Sequence, residues 1–136
     1  MENFAFEVAE TARLIKREAN RRAADIGATK TQWRVLARLG RAGDAIRQVE
    51  LAEALDVEPI TLCRVIDRLE DAKLVERQRD PDDRRAWRIH LTPEASPVIA
   101  KLEAMGVAFN ADILSGISAA ERETALRVFS KIRANL

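Results

Sequence analysis

The sequence predicts a mainly α-helical fold carrying one short β-hairpin, and three observations predict it. Apolar residues recur at spacings of three and four along most of the chain, the period of a helix with one buried face. These runs are bounded by helix signals: glycines at the ends, and Thr or Ser three residues before Gln or Glu at the starts. Only residues 74–91 break the pattern, where "LVERQR" and "AWRIHL" flank the turn-forming "DPDDRR".

Composition sets the scale. A chain of 136 residues fits one domain, and 47% apolar with 33% charged residues fits a packed, soluble protein rather than a disordered one. No apolar run is long enough to span a bilayer, and "MENFAFEVAE" lacks a signal-type start, so a cytoplasmic location is expected. The single cysteine, Cys63, makes no internal disulfide. With 23 Lys and Arg against 22 Asp and Glu the net charge is +1, so any affinity for a polyanion must come from where the arginines sit.

The first helix is expected from about Phe4 to Ile26, with Phe4, Val8, Ile15 and Ala19 on one face and Arg13, Lys16, Arg17, Arg21 and Arg22 on the other. Gly27 ends it, because glycine accepts a positive φ. Thr29 and Gln32 have capping-box spacing for a second helix, which buries Trp33 or Leu36 and Leu39 and closes at Gly40. A third, short helix from Gln48 to Leu55 is expected to bury Val49, Ala52 and Leu55. A tight link then leads to Pro59, which suits the first turn of a fourth helix.

Two short helices across a tight turn form a helix-turn-helix. On the second of them Leu62, Val65, Ile66 and Leu69 share one stripe, and the opposite arc collects Ile60, Thr61, Cys63, Arg64, Asp67 and Arg68. Arg64 and Arg68, one turn apart, reach far enough for guanine edges or phosphates, and Thr61 near the helix start can meet either. Asp67 and Asp71 would repel phosphate. An ordinary surface helix with intrahelical ion pairs, Arg64 to Asp67 for example, fits the same pattern.

A hairpin directly after a helix-turn-helix is a wing. In its second strand Trp87, Ile89 and Leu91 face one way and Arg88 and His90 the other. An arginine at the tip of such a wing can enter a minor groove, where negative potential concentrates. The acids in the turn have a physical use: Asp83, two residues before Arg85, would orient its guanidinium in advance. A merely solubilising role for Asp82, Asp83, Arg84 and Arg85 is the plainer alternative.

The run "LAEALDVEPITLCRVIDRLEDAKLVERQRDPDDRRAWRIHLTPEA" resembles the winged helix-turn-helix of the MarR family of bacterial transcription regulators, the "DRR" turn and the "LT" strand end being its most specific pieces. "SPVIAKLEAM" and "ILSGIS" are most similar to the SlyA-like subgroup. The resemblance covers nearly the whole chain. It implies a single domain over 1–136, with a winged helix-turn-helix at 29–92 and N- and C-terminal helices, 1–27 and 93–136, forming a dimerisation region. It also implies a homodimer on a pseudo-palindromic operator in double-stranded DNA, with Thr61, Arg64 and Arg68 on the recognition helix and Asp83, Arg84 and Arg85 in the wing as DNA-binding residues. Arg47 departs from the Ser or Thr that many relatives carry before the first helix of the motif.

Thr92 and Pro93 open a long helix with Val98, Leu102, Met105 or Phe109, and Ile113 along one side, and Pro97 falls in its first turns. A last helix starts at Ser118, with Glu121 at capping-box spacing, and shows Leu126, Phe129, Ile132 and Leu136. One small winged domain cannot cover both apolar faces, and a second copy is the natural outlet. By resemblance an effector would be a small aromatic or phenolic carboxylate, with Trp33 as a wall and Lys16 or Arg17 as counter-charge. No cofactor, metal or membrane partner is expected. One His and one Cys cannot make a zinc site, and His90 has no catalytic partners, so the chain is not read as an enzyme. Two alternatives stand beside the DNA-binding reading: a winged helix that binds protein, and a redox-responsive regulator acting through Cys63.

Overall fold

The computed structural model describes residues 3–42 and 45–136. In chain order the elements are α1 (Phe4–Asp25), α2 (Lys30–Ala42), β1 (Ile46–Arg47), α3 (Gln48–Leu55), α4 (Pro59–Asp71), β2 (Val75–Arg79), β3 (Trp87–Leu91), a 3-10 turn (Pro93–Ala95), α5 (Ser96–Ile113) and α6 (Ala119–Asn135). The chain divides into two compact units, Met1–Met105 and Gly106–Leu136.

In the first unit the expected caps form. The Asn3 side chain accepts from the Phe6 N–H, and Gly27 follows α1 at φ 81°. Thr29 and Gln32 bond reciprocally, each at 3.3 Å, to start α2. That helix runs past Gly40 to Ala42. Gly40 therefore does not close it; a Cβ there would lie 3.6 Å from Ile99 Cγ2, an ordinary contact distance. The expected α1 face has two fates: Ala19, with Ala23 a turn later, is buried, whereas Phe4, Val8 and Ile15 are exposed, as are Phe6 and Leu14 elsewhere on the helix.

One core joins α2, α3, α4, the sheet and the start of α5, with Leu36, Leu51, Leu62, Ile66 and Ile89 among its fully buried side chains. The expected stripe of α4 is observed, with Val65 partly buried beside it. On α3 the expectation fails at one position: Val49 is 68% exposed, and Leu51 is buried with Ala52 and Leu55. Asp56, in the left-handed region at φ 51°, turns the chain from α3 into α4.

The sheet is antiparallel in the order β1-β3-β2, with Ile46 opposite Ile89 and Arg79 opposite Trp87. Thr92 does not cap a helix. Its hydroxyl donates to the Lys73 carbonyl at 2.6 Å, locking the end of β3 to the turn after α4, and a 3-10 turn precedes α5.

In the second unit Ser118 and Glu121 form the expected capping box, with bonds of 3.1 and 3.2 Å. No residue of α6 is buried, and Leu126, Phe129 and Leu136 are exposed. Among the described residues no helix is long and apolar enough to cross a membrane.

On α1, Glu18 accepts from Arg21 at 2.6 Å and from Arg22 at 3.0 Å. These bonds lower its carboxyl from 4.5 to about 2. A depressed carboxylate stabilises the fold fully above its unfolded value and loses that contribution as pH falls through its folded one. Acid unfolding of Glu18→Gln should therefore show a shallower pH dependence of stability between pH 4.5 and about 2 than the parent chain. Coincident curves would show that the pair does not couple to folding.

Candidate nucleic-acid interface

The outer arc of α4 is open. Ile60, Thr61, Arg64 and Arg68 are all exposed, and so are Asp83, Arg84 and Arg85 at the wing turn. Among the described residues the guanidinium groups of Arg64, Arg68, Arg84 and Arg85 make no hydrogen bond or ion pair. The intrahelical pair of Arg64 with Asp67 that an ordinary surface helix would make is absent among the described residues, where Asp67 pairs with Arg77. The tip end of the wing, α3 and the first turn of α4 border a hollow of about 130 Å3 lined by Gln48, Val49, Pro59, Leu62, Arg85 and Trp87.

Four other arginines, Arg47, Arg77, Arg79 and Arg88, are held by partners within the motif and build this surface. Arg77 of β2, only 13% exposed, lies with Nη1 2.7 Å from Asp67 and 3.1 Å from Glu70, both on α4. Its Nη2 donates to the Cys63 carbonyl at 3.1 Å and its Nε to the Gln48 side chain at 3.2 Å. One side chain thus fastens the wing to both helices of the motif and neutralises acid on the helix that the sequence presents as the reader.

Asp80 is the second fastening. Its side chain is fully buried. Oδ2 accepts from Arg47 Nε and from Arg88 Nε, each at 2.8 Å. Oδ1 accepts the backbone N–H groups of Asp82 and Asp83 at 2.8 and 3.1 Å. The Arg88 bond, the Asp82 N–H and Arg47 together hold this carboxyl well below the usual carboxylate range, against the opposing effect of burial. Arg47, as expected, makes no helix cap with its side chain; it ties β1 to the wing instead.

The turn itself corrects one expectation. Asp83 Oδ1 accepts the backbone N–H of Arg85 at 2.9 Å, so it shapes the turn and leaves the guanidinium untouched. Arg79 braces the other side: it donates to the Arg84 carbonyl, and its guanidinium carbon lies 4.4 Å from the centre of the Trp87 ring. Asp80, Arg77 and Arg79 were not singled out from sequence, since their partners lie up to 33 residues away.

Trp33 gives its indole N–H to Asn20 at 3.0 Å and packs against the core. Lys16 and Arg17 lie one turn before Asn20 on α1, with exposed side chains. Cys63 is partly exposed, and its sulfur lies 3.6 Å from Arg77 Nη2 rather than beside Arg64. Among the described residues no three His, Cys, Asp or Glu side chains are grouped to hold a metal ion.

A short helix pair, a three-stranded wing and an open basic arc on the second helix define a winged helix-turn-helix protein. A family model described as MarR family matches residues 28–87. The chain is similar to the crystal structure of the transcriptional regulator PA3341, at 38% identity and a TM-score of 0.89, over 98% of this chain and 97% of that one. It is also similar to the transcriptional regulator SlyA, at 25% identity and a TM-score of 0.80, over 98% and 94%. A MarR family regulator from Listeria monocytogenes, solved in complex with a 26mer DNA, shares the fold at 20% identity and a TM-score of 0.84, over 99% and 89%. The chain belongs to the MarR family and is a transcriptional regulator of that family.

Proposed function

We propose that the chain is a sequence-specific double-stranded DNA-binding regulator that acts as a homodimer on a pseudo-palindromic operator. One observation carries this reading: Arg47, Arg77, Arg79 and Arg88 are held by partners within the motif, while Arg64, Arg68, Arg84 and Arg85 are exposed and without partners among the described residues. Unpaired guanidinium groups on a recognition helix and a wing tip suit guanine edges and phosphates. Arg64 reads bases, with Thr61 and Arg68 beside it, and Arg85 reaches the minor groove from a turn held by Asp83, with Arg84 on the backbone.

A second copy is supported by the apolar side chains left open near both chain ends, Phe4, Phe6 and Leu14 on α1, Leu126 and Phe129 on α6, and Leu136 just after it. Two recognition helices then fall about one turn of DNA apart, and the site is an inverted repeat. The effector belongs to the same reading as a small aromatic carboxylate, with the Trp33 ring as wall and Lys16 or Arg17 as counter-charge.

Selection of duplexes from a random library should enrich an inverted repeat with the parent chain and fail with Arg64→Ala or Arg85→Ala. With about eight to ten phosphates neutralised per dimer, affinity should drop by about three to five orders of magnitude between roughly 50 and 200 mM salt. No enrichment by the parent chain would overturn the reading in favour of a winged helix that binds protein.

A further inference from the structure

The exposed large apolar side chains divide into two groups. Most lie on α1 and its cap, or from Val107 onward, and a second copy accounts for them; among the described residues of the winged part only Val49, Ile60 and Trp87 are exposed. Trp87 lies beneath the Arg79 guanidinium, and Val49 lines the hollow beside the wing. Ile60 is left, 64% exposed, in the first turn of the recognition helix.

Its place there is unfavourable on local grounds. A β-branched residue loses rotamer freedom in a helix, and an outward Ile gains no burial in return. The first turn of a recognition helix is the part that meets base edges. Ile60 precedes Arg64 by four residues, so the two side chains lie about 40° apart around the helix and about 6 Å apart along it. Both point away from the stripe of Leu62, Ile66 and Leu69.

We propose that Ile60 is a specificity-determining residue that packs on the C5-methyl group of a thymine in the major groove, one or two base steps from the guanine read by Arg64. The inference rests on the DNA-reading function proposed above. The thymine methyl is the apolar feature of the major-groove edge, and a bare aliphatic side chain is its complement. Hydrogen bonding contributes nothing to such a contact, so Ile60 discriminates only for a methyl group. A separation of about 6 Å along the helix corresponds to about two base-pair steps of 3.4 Å, which fixes where that methyl must lie.

The test uses the operator that library selection yields. Each thymine is replaced in turn by deoxyuridine, which removes the methyl and keeps every hydrogen-bonding group. The parent protein should lose about three- to fivefold in affinity at one thymine per half-site, the effect of uncovering one methyl. Ile60→Ala should bind the thymine operator more weakly by at least that factor and be indifferent to the same replacement, while Ile60→Val keeps part of the sensitivity. Both variants should retain the parent's preference for the guanine opposite Arg64. Equal deoxyuridine sensitivity in the parent and Ile60→Ala, or none in either, overturns the assignment and leaves the DNA-binding reading standing. A library that enriches nothing overturns both.

Discussion

Replacing Asp80 with alanine should release the wing and weaken operator binding by roughly ten- to a hundredfold, with the helical content of the chain unchanged. The buried carboxylate receives four bonds from three directions: Arg47 before α3, Arg88 on β3, and the N–H groups of Asp82 and Asp83 in the turn. Removing it takes the shared carboxylate from two neighbouring guanidinium groups and the Asp80 acceptor from two turn N–H groups. The turn then samples many conformations, and the entropy of ordering Arg85 returns at each binding event. Asp80→Asn keeps an acceptor and loses the charge, so an intermediate loss is expected.

Acid gives an independent check with a definite sign. Because the folded Asp80 carboxyl titrates far below its usual 3.8, its contribution is complete above that value and survives until pH falls through the depressed one. Hydrogen exchange at the Asp82 and Asp83 amides should therefore stay protected as pH falls below 3.8, and be faster in Asp80→Ala throughout. Equal protection in the two proteins, or unchanged DNA affinity, would refute the anchoring role.

Arg77→Met should destabilise the fold by about 2 kcal/mol, the loss of several partly exposed charged bonds, lowering Tm by roughly 6–10 °C. It should also weaken DNA binding beyond that, because Asp67 and Glu70 then present unneutralised acid beside the phosphates. The two effects separate in a cycle. Adding Asp67→Asn to Arg77→Met should recover much of the affinity and little of the stability, measured by titration on the selected operator and by thermal unfolding. If affinity does not recover, Arg77 acts only as a fold contact.

These two residues show where the sequence was legible and where it was not. The helices of the motif follow from apolar spacing and from Pro59 in the first turn of α4, because those signals act within four residues. The short α3 departs from its pattern at one position: Val49, Leu51, Ala52 and Leu55 offer two overlapping faces in eight residues, and packing against the rest of the core selects Leu51 over Val49. The two residues of β1 carry no period, so only their pairing with β3 reveals them. For the candidate site, the exposed positions of Thr61, Arg64, Arg68, Arg84 and Arg85 were readable from α4 periodicity and the hairpin turn. A charge count could not tell these from Arg47, Arg77, Arg79 and Arg88, which are held by partners distant in sequence. The turn acids were rightly connected with organising the wing, but they bind backbone N–H groups, and Asp80 rather than Asp83 meets the guanidinium groups.

The aromatic residues of this chain also give it two separate optical probes. It holds two tryptophans and no tyrosine. Trp33 sits where α1 meets α2, bonded to Asn20, and Trp87 sits on the wing, half open to water beneath the Arg79 cation. Its near-ultraviolet emission is thus the sum of one signal from the wing and one from the α1–α2 contact. Motion at either place is visible without any attached dye, and a phenylalanine at one tryptophan position isolates the other.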